Sequence, residues 1–251
     1  MRIRVLLGVL ILTMCVAVFV QAQDAAPDAT QVLEQVRSRW QGDSFHAVLE
    51  LDIVLGGQTK SHVLEVWTYG DDHALLRIRQ PEIDAGSGYL QIKDELWYYS
   101  PAVGTSIALP AFGLTDALFG AGPSIGDLSQ GTLSDDYEAS VEVIMDDVDA
   151  PTNYVLTLIP RPDAPVVYGK LVVTASVDFV IREAVYYDQR GEVIRTATFG
   201  GTIILGEAVF PTEIEIVDAS GDRTVERIVD PQFDLDLDET FFTLERLEGV
   251  E

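Results

Sequence analysis

Gly122-Pro123-Ser124-Ile125-Gly126 has the Gly-x-Ser-x-Gly spacing that, on a strand-to-helix turn, presents a nucleophilic serine to a base. The chemistry would be acyl transfer or ester hydrolysis. The context opposes it. The residues ahead of Ser124 are not strand-like, and His46, His62 and His73 all precede the serine, whereas the hydrolase order needs a histidine after it. Ser124 followed by Asp127 fits a helix-capping box better. A metal centre is no better supplied. The histidines lack His-x-x-x-His spacing and fall on separate strands or turns. Asp234-Leu235-Asp236-Leu237-Asp238 has calcium-loop alternation, but Glu239 stands where the loop requires glycine. Asp146-Asp147-x-Asp149 in a turn leaves two alternatives open, weak calcium binding and a solvated acidic face. The single cysteine, Cys15, permits neither an intrachain disulfide nor a cysteine zinc cluster. With 41 acids some carboxylate pair is inevitable, so pairing alone does not identify a glycosidase. No Gly-rich phosphate loop follows a strand. The expectation is a chain without catalytic residues, metal or cofactor.

The elements that would position any site are one helix and then many strands. Asp28 with Gln31 resembles a capping box, Val32, Leu33, Val36 and Trp40 form one helical stripe, and Gly42 ends it. The period then changes to two. Phe45, Ala47, Leu49, Leu51, Ile53 and Leu55 alternate with more polar residues up to the Gly56-Gly57 hairpin signal. Further strands are expected at 60–69, 73–79, 89–93, 95–100, 137–145, 154–159, 166–177, 180–187, 192–199, 209–217 and 224–229. Turn signals such as Ser220-Gly221-Asp222 separate them. Strands in hairpin succession after a single helix describe a mainly β antiparallel meander, with no alternation of strand and helix for a nucleotide fold. No repeat or linker divides residues 23–251, which are expected to form a single domain. Residues 111–131 interrupt the pattern with short apolar helices between glycines. A lid over a cavity and a packed surface loop are both consistent with that composition.

The charge narrows the partners. The 251 residues carry 16 Lys+Arg against 41 Asp+Glu, a net charge of -25. Nucleic acid is excluded, because phosphate binding needs a basic patch. A polybasic anchor to anionic lipid is excluded on the same ground. Met1-Arg2-Ile3-Arg4, the apolar run from Val5 to Val20 and Val20-Gln21-Ala22 read as a secretory signal peptide over residues 1–22. The run is shorter than the roughly 20 residues a spanning helix needs. Met14 ahead of Cys15 does not fit a lipobox. Cleavage would remove Arg2 and Arg4 and leave the mature chain more acidic still.

A single sheet of this length must curl to cover one face. One helix and a lid are too small to fill the half-barrel with side chains, which leaves a lipid-sized apolar space. Trp67, Trp97, Phe112 and Phe119 are candidates to line it. Leu49, Leu51, Ile53, Leu76, Ile78 and Leu90 supply the apolar strand positions, and Leu114, Leu118, Ile125 and Leu128 the lid. Each could equally be plain core.

From Phe45 to Leu247 the chain resembles the outer-membrane lipoprotein-sorting family of LolA/LolB-like periplasmic proteins, in its larger and poorly characterised branch. The likeness rests on Leu64-Glu65-Val66-Trp67 with Gly70, Gly86-Ser87-Gly88-Tyr89-Leu90, and Leu96-Trp97-Tyr98-Tyr99-Ser100-Pro101-Ala102. Pro160 to Tyr168 and Leu237-Asp238-Glu239-x-Phe241-Phe242-Thr243 complete it. The resemblance implies an unclosed antiparallel β-barrel with an N-terminal helix and a helical lid. It implies a monomeric periplasmic carrier for lipoprotein acyl chains or other lipids, loaded or unloaded beside an inner-membrane transporter. The alternative is a non-catalytic interaction module of an envelope transporter complex. The lid departs from relatives: Gly120-Ala121-Gly122-Pro123-Ser124-Ile125-Gly126-Asp127-Leu128 lacks their aromatics, which implies a differently shaped cavity mouth.

Overall fold

A computed structural model describes residues 27–41, 43–110, 113, 117–126, 136–146, 150–162, 164, 166–205 and 208–249. The signal segment and the candidates Phe112, Leu114 and Leu128 lie outside the described residues.

Helix α1 (Ala29–Gln41) starts where the capping residue places it. Asp28 Oδ1 accepts from the backbone N–H of Thr30 at 2.8 Å and of Gln31 at 3.1 Å. Such a cap is worth about 1 kcal/mol. Val32, Leu33 and Val36 are buried against the sheet. Thirteen strands follow: β1 (Ser44–Leu55), β2 (Gln58–Tyr69), β3 (His73–Gln80), β4 (Gly88–Ile92), β5 (Glu95–Ser100) and β6 (Thr105–Leu109). The second run is β7 (Tyr137–Met145), β8 (Pro151–Pro160), β9 (Lys170–Ser176), β10 (Ile181–Tyr187), β11 (Val193–Leu205), β12 (Ala208–Asp218) and β13 (Arg223–Phe233). A short helix α2 (Leu244–Leu247) closes the chain. Twelve strands overlap sequence expectations, with β11 running six residues beyond its expected end. The exception is β6, whose Thr105-Ser106-Ile107-Ala108-Leu109 has no clean alternation and is largely exposed at an edge.

All neighbours are antiparallel, in the order β6-β5-β4-β3-β2-β1-β13-β12-β11-β10-β9-β8-β7. The chain therefore builds outward from β1 to one edge, β6. It then crosses through residues 110–136 to the other edge, β7, and builds back until β13 closes on β1. The seam pairs Leu49 with Ile228, Leu51 with Glu226 and Ile53 with Thr224. Laid flat, thirteen strands would span about 58 Å at 4.8 Å spacing. One cluster instead unites Leu49, Leu64 and Leu76 of the first half with Leu156, Val173 and Ile216 of the second. The sheet curls without closing into a barrel. Helix α1 packs on β7, β8 and β12. Its Arg37 reaches Asp71 in the β2–β3 turn, so the helix ties the two halves together across the inner face.

The period of two sorts the side chains. Ala47, Leu49, Leu51 and Ile53 face inward and are essentially inaccessible. A second cluster lies on the outer face. Leu75, Leu90, Phe242 and Leu247 are buried there, with Trp67, Trp97 and Phe241 packed around them. The C-terminal segment 239–249 covers this patch. Asp238 and Thr243 cap its two short turns by accepting from the N–H of Thr240 and of Arg246.

Candidate functional site

The connection between the sheet edges folds back on itself. Ala117 and Ser124 form an antiparallel bridge, and the Leu118 N–H donates to Pro123 O at 2.9 Å. Leu118–Gly120 between them is a single 3-10 turn. Phe119 adopts φ 59°, a conformation that costs a non-glycine residue roughly 1–3 kcal/mol unless its surroundings hold it. The hold is a ring stack on His62 of β2, with centroids 3.9 Å apart and planes 17° from parallel. Leu118, Ala121 and Ile125 are buried in the inner cluster. Gly122 has φ +90°, and a Cβ there would stand 3.1 Å from Thr224 of β13. The hairpin thus covers the ends of β1, β2 and β13, using small residues and one aromatic contact.

Leu49, Leu51, Ile53, Leu76, Ile78, Leu118 and Ile125 come together in the inner cluster, with Phe119 packed against it. Trp67, Leu90 and Trp97 do not. Expected at the cavity, they belong to the outer face. Val66 and Leu76 point inward, so their chain neighbours Trp67 and Leu75 point outward. Leu90 pairs with both Leu75 and Trp97. Strand period alone cannot say which of two apolar faces is covered by a lid and which by the C-terminus.

Ser124 is a bridge residue of the hairpin, directly ahead of the helical residues Ile125 and Gly126, and is 3% exposed. The histidines have separate occupations. His46 bonds Glu65 and stacks on Trp67, and His73 bonds Asp72 beside Phe242. Among the described residues no group of three His, Cys, Asp or Glu is placed to hold a metal ion. No helix among them is long and apolar enough to cross a membrane.

A cavity of about 320 Å³ opens beneath the hairpin, between Ala117, Gly120–Gly122 and strands β11–β13. Its polar lining is Arg195, Asp218, Asp222 and Thr224. Sequence reasoning missed this set. A signal was present: Arg195 shares its strand face with Ala197 and Phe199, a cation on an apolar face.

His62 titrates in a telling place. Burial pushes its imidazole below the ordinary value; Asp84 opposes this shift and Lys60 adds to it. The neutral ring is thus the form the fold favours. Its contribution is complete above about pH 6.5 and is lost as the pH falls below that value. Thermal unfolding of wild type should therefore drop between pH 8 and pH 5 relative to His62→Phe, which keeps a ring under Phe119 but cannot protonate. Parallel curves for the two proteins would show that His62 does not seat the hairpin.

Residues 70–249 match the model of a family described as an uncharacterized protein. No curated protein matches the chain in sequence. Three crystal structures are similar over nearly the whole described chain. A LolA superfamily protein from Nitrosomonas europaea is 23% identical, with a TM-score of 0.74, covering 88% of this chain and 100% of its own. A domain named for outer membrane lipoprotein sorting, from Vibrio parahaemolyticus, is 17% identical at TM-score 0.73, covering 88% and 98%. A DUF1329 family protein from Desulfovibrio piger is 16% identical at TM-score 0.75, covering 87% and 97%. At these identities the likeness is one of fold. The chain belongs to the family of that model and has the LolA-like fold.

Proposed function

We propose that this protein is a non-catalytic periplasmic carrier that shields acyl chains of lipoproteins or other lipids against its inner face. The observation that carries this function is the cover. Among the described residues, a continuous apolar face spanning both halves of a thirteen-strand sheet is covered by α1 and a hairpin of small residues. Lifting the hairpin exposes Leu51, Ile53 and Ile125 to a ligand without breaking a strand pair. The name of one solved relative, a lipoprotein-sorting domain, agrees in kind. Each buried CH₂ contributes about 0.8 kcal/mol, so a long chain leaves slowly and release calls for a partner, an inner-membrane transporter or an outer-membrane acceptor. With net charge -25, the protein is repelled by anionic lipid, so a protein partner must bring it to the membrane.

Uptake of a fluorescent fatty acid tests this. Ile125→Asp, which places a carboxylate under the hairpin, is expected to weaken uptake on the order of tenfold or more. Trp67→Ala on the outer face is expected to retain it. The reverse ranking would place binding on the outer face. A second function, an interaction module with an interior filled by its own side chains, is favoured by the burial of the inner-face residues against one another. It would show no uptake in either protein.

A further inference from the structure

The cavity beneath the hairpin is built for more than an acyl chain. Its floor includes Ile216 and its roof is glycine and alanine, but its walls carry charge of both signs. Arg195 of β11 stands on one side. Its guanidinium lies 4.0 Å from the Tyr186 ring centre and 5.4 Å from that of Tyr168. The two rings restrict the plane and direction of the cation. Asp218 of β12 is its register partner across the ladder. Asp218 Oδ1 accepts from Ser220 and from the N–H of Asp222. Asp222 in turn accepts from the N–H of Gly56 and from Ser220. The Gly56 N–H, followed by the Ser220 hydroxyl, holds the Asp222 carboxyl below its ordinary value. Both acids are therefore fixed in the β12–β13 turn. Beside them Thr224 is 1% exposed, and its Oγ1 has no hydrogen-bond partner among the described residues. A buried hydroxyl without a partner is unfavourable unless a ligand or water supplies one.

A purely anionic ligand would face two carboxylates here, and a purely cationic one would face a guanidinium. We infer that the cavity between the hairpin and β11–β13 receives a zwitterionic headgroup of the phosphoethanolamine type. The phosphate lies on Arg195 and Thr224, the ammonium on Asp218, and the acyl chains run over Ile216 onto the inner face. This rests on the carrier function proposed above and adds selection by headgroup.

The test uses delipidated protein lacking residues 1–22 and four probes. Three share one acyl chain: lysophosphatidylethanolamine, lysophosphatidylglycerol and a neutral monoacylglycerol. The fourth, glycerophosphoethanolamine, has the headgroup and no chain. The zwitterionic lipid is expected to bind about tenfold more tightly than the other two lipids. Arg195→Met is expected to erase its advantage over monoacylglycerol. Asp218→Asn keeps an oxygen acceptor for the turn and is expected to bring lysophosphatidylglycerol level with lysophosphatidylethanolamine. If Arg195→Met does not fold, the Asp218→Asn comparison decides. Equal affinity for all three lipids, unchanged in both variants, overturns headgroup selection and leaves the carrier standing. Glycerophosphoethanolamine binding as tightly as the lipid shows a site for a free soluble headgroup and overturns the lipid assignment. Failure of every acyl probe removes the carrier and this inference together.

Discussion

Uptake of an acyl probe is expected to stop when the hairpin is tied to β13 by a disulfide between Gly122→Cys and Thr224→Cys, and to resume on reduction. A Cβ built on Gly122 lies 3.5 Å from the Thr224 Cβ, at the near end of the roughly 3.5–4.5 Å that disulfides span. The only native cysteine is Cys15, so protein prepared without residues 1–22 offers no competing thiol. Cysteine at φ +90° costs roughly 1–3 kcal/mol, a burden present in both redox states. Comparing oxidised with reduced protein therefore isolates the tether from that strain and from the loss of the Thr224 hydroxyl. Protein loaded before oxidation should hold its probe on the order of tenfold longer than reduced protein. Exchange at the same rate in both states would mean that ligand enters elsewhere, past α1 or the open strand edges.

Leu51→Ala should lower the unfolding free energy by about 2–5 kcal/mol, read as a drop in the urea midpoint with an unchanged slope. Leu51 is 1% exposed on β1, opposite His62 of β2 and Glu226 of β13. Strand β1 is where the two halves of the sheet meet, so the cavity left by truncation falls in the seam. Neighbours paired on both sides cannot collapse into it without breaking register, which places the cost toward the upper part of that range. The Arg227–Asp52 pair at 2.9 Å crosses the same seam outside. It is exposed to solvent and contributes about 0–1 kcal/mol, too little to compensate. A loss below about 1 kcal/mol would mean that the halves are held together mainly by α1 and its Arg37 contact.

The fold was legible wherever burial was one-sided. Strand β1 alternates because one face is core, and Asp28 announces α1 because its carboxylate caps free N–H groups. Strand β6 was not legible. An exposed edge strand of Thr105, Ser106 and Ala108 has no face to advertise, and only the turn before it, with Gly104 at φ 75°, marks its start. The site was legible in part. Leu118 and Ile125 stood out as apolar residues among glycines, and they do reach the inner cluster. Trp67, Leu90 and Trp97 misled because the sheet has apolar residues on both faces in its first half. What covers the outer patch, Phe242 and Leu247, lies some 150 residues further along the chain, beyond the reach of any local pattern. Arg195 was visible as a cation on an apolar strand face, but its meeting with Asp218 and Thr224 depends on the register of three strands.

The carrier function is tested most directly by what the protein holds when it leaves the cell. Purified without detergent from cells that express the full chain and extracted for lipid mass spectrometry, it is expected to yield acyl lipid at close to one molecule per chain. Lipid-free protein that also fails to take up an acyl probe after delipidation would contradict that function and leave the interaction module in its place.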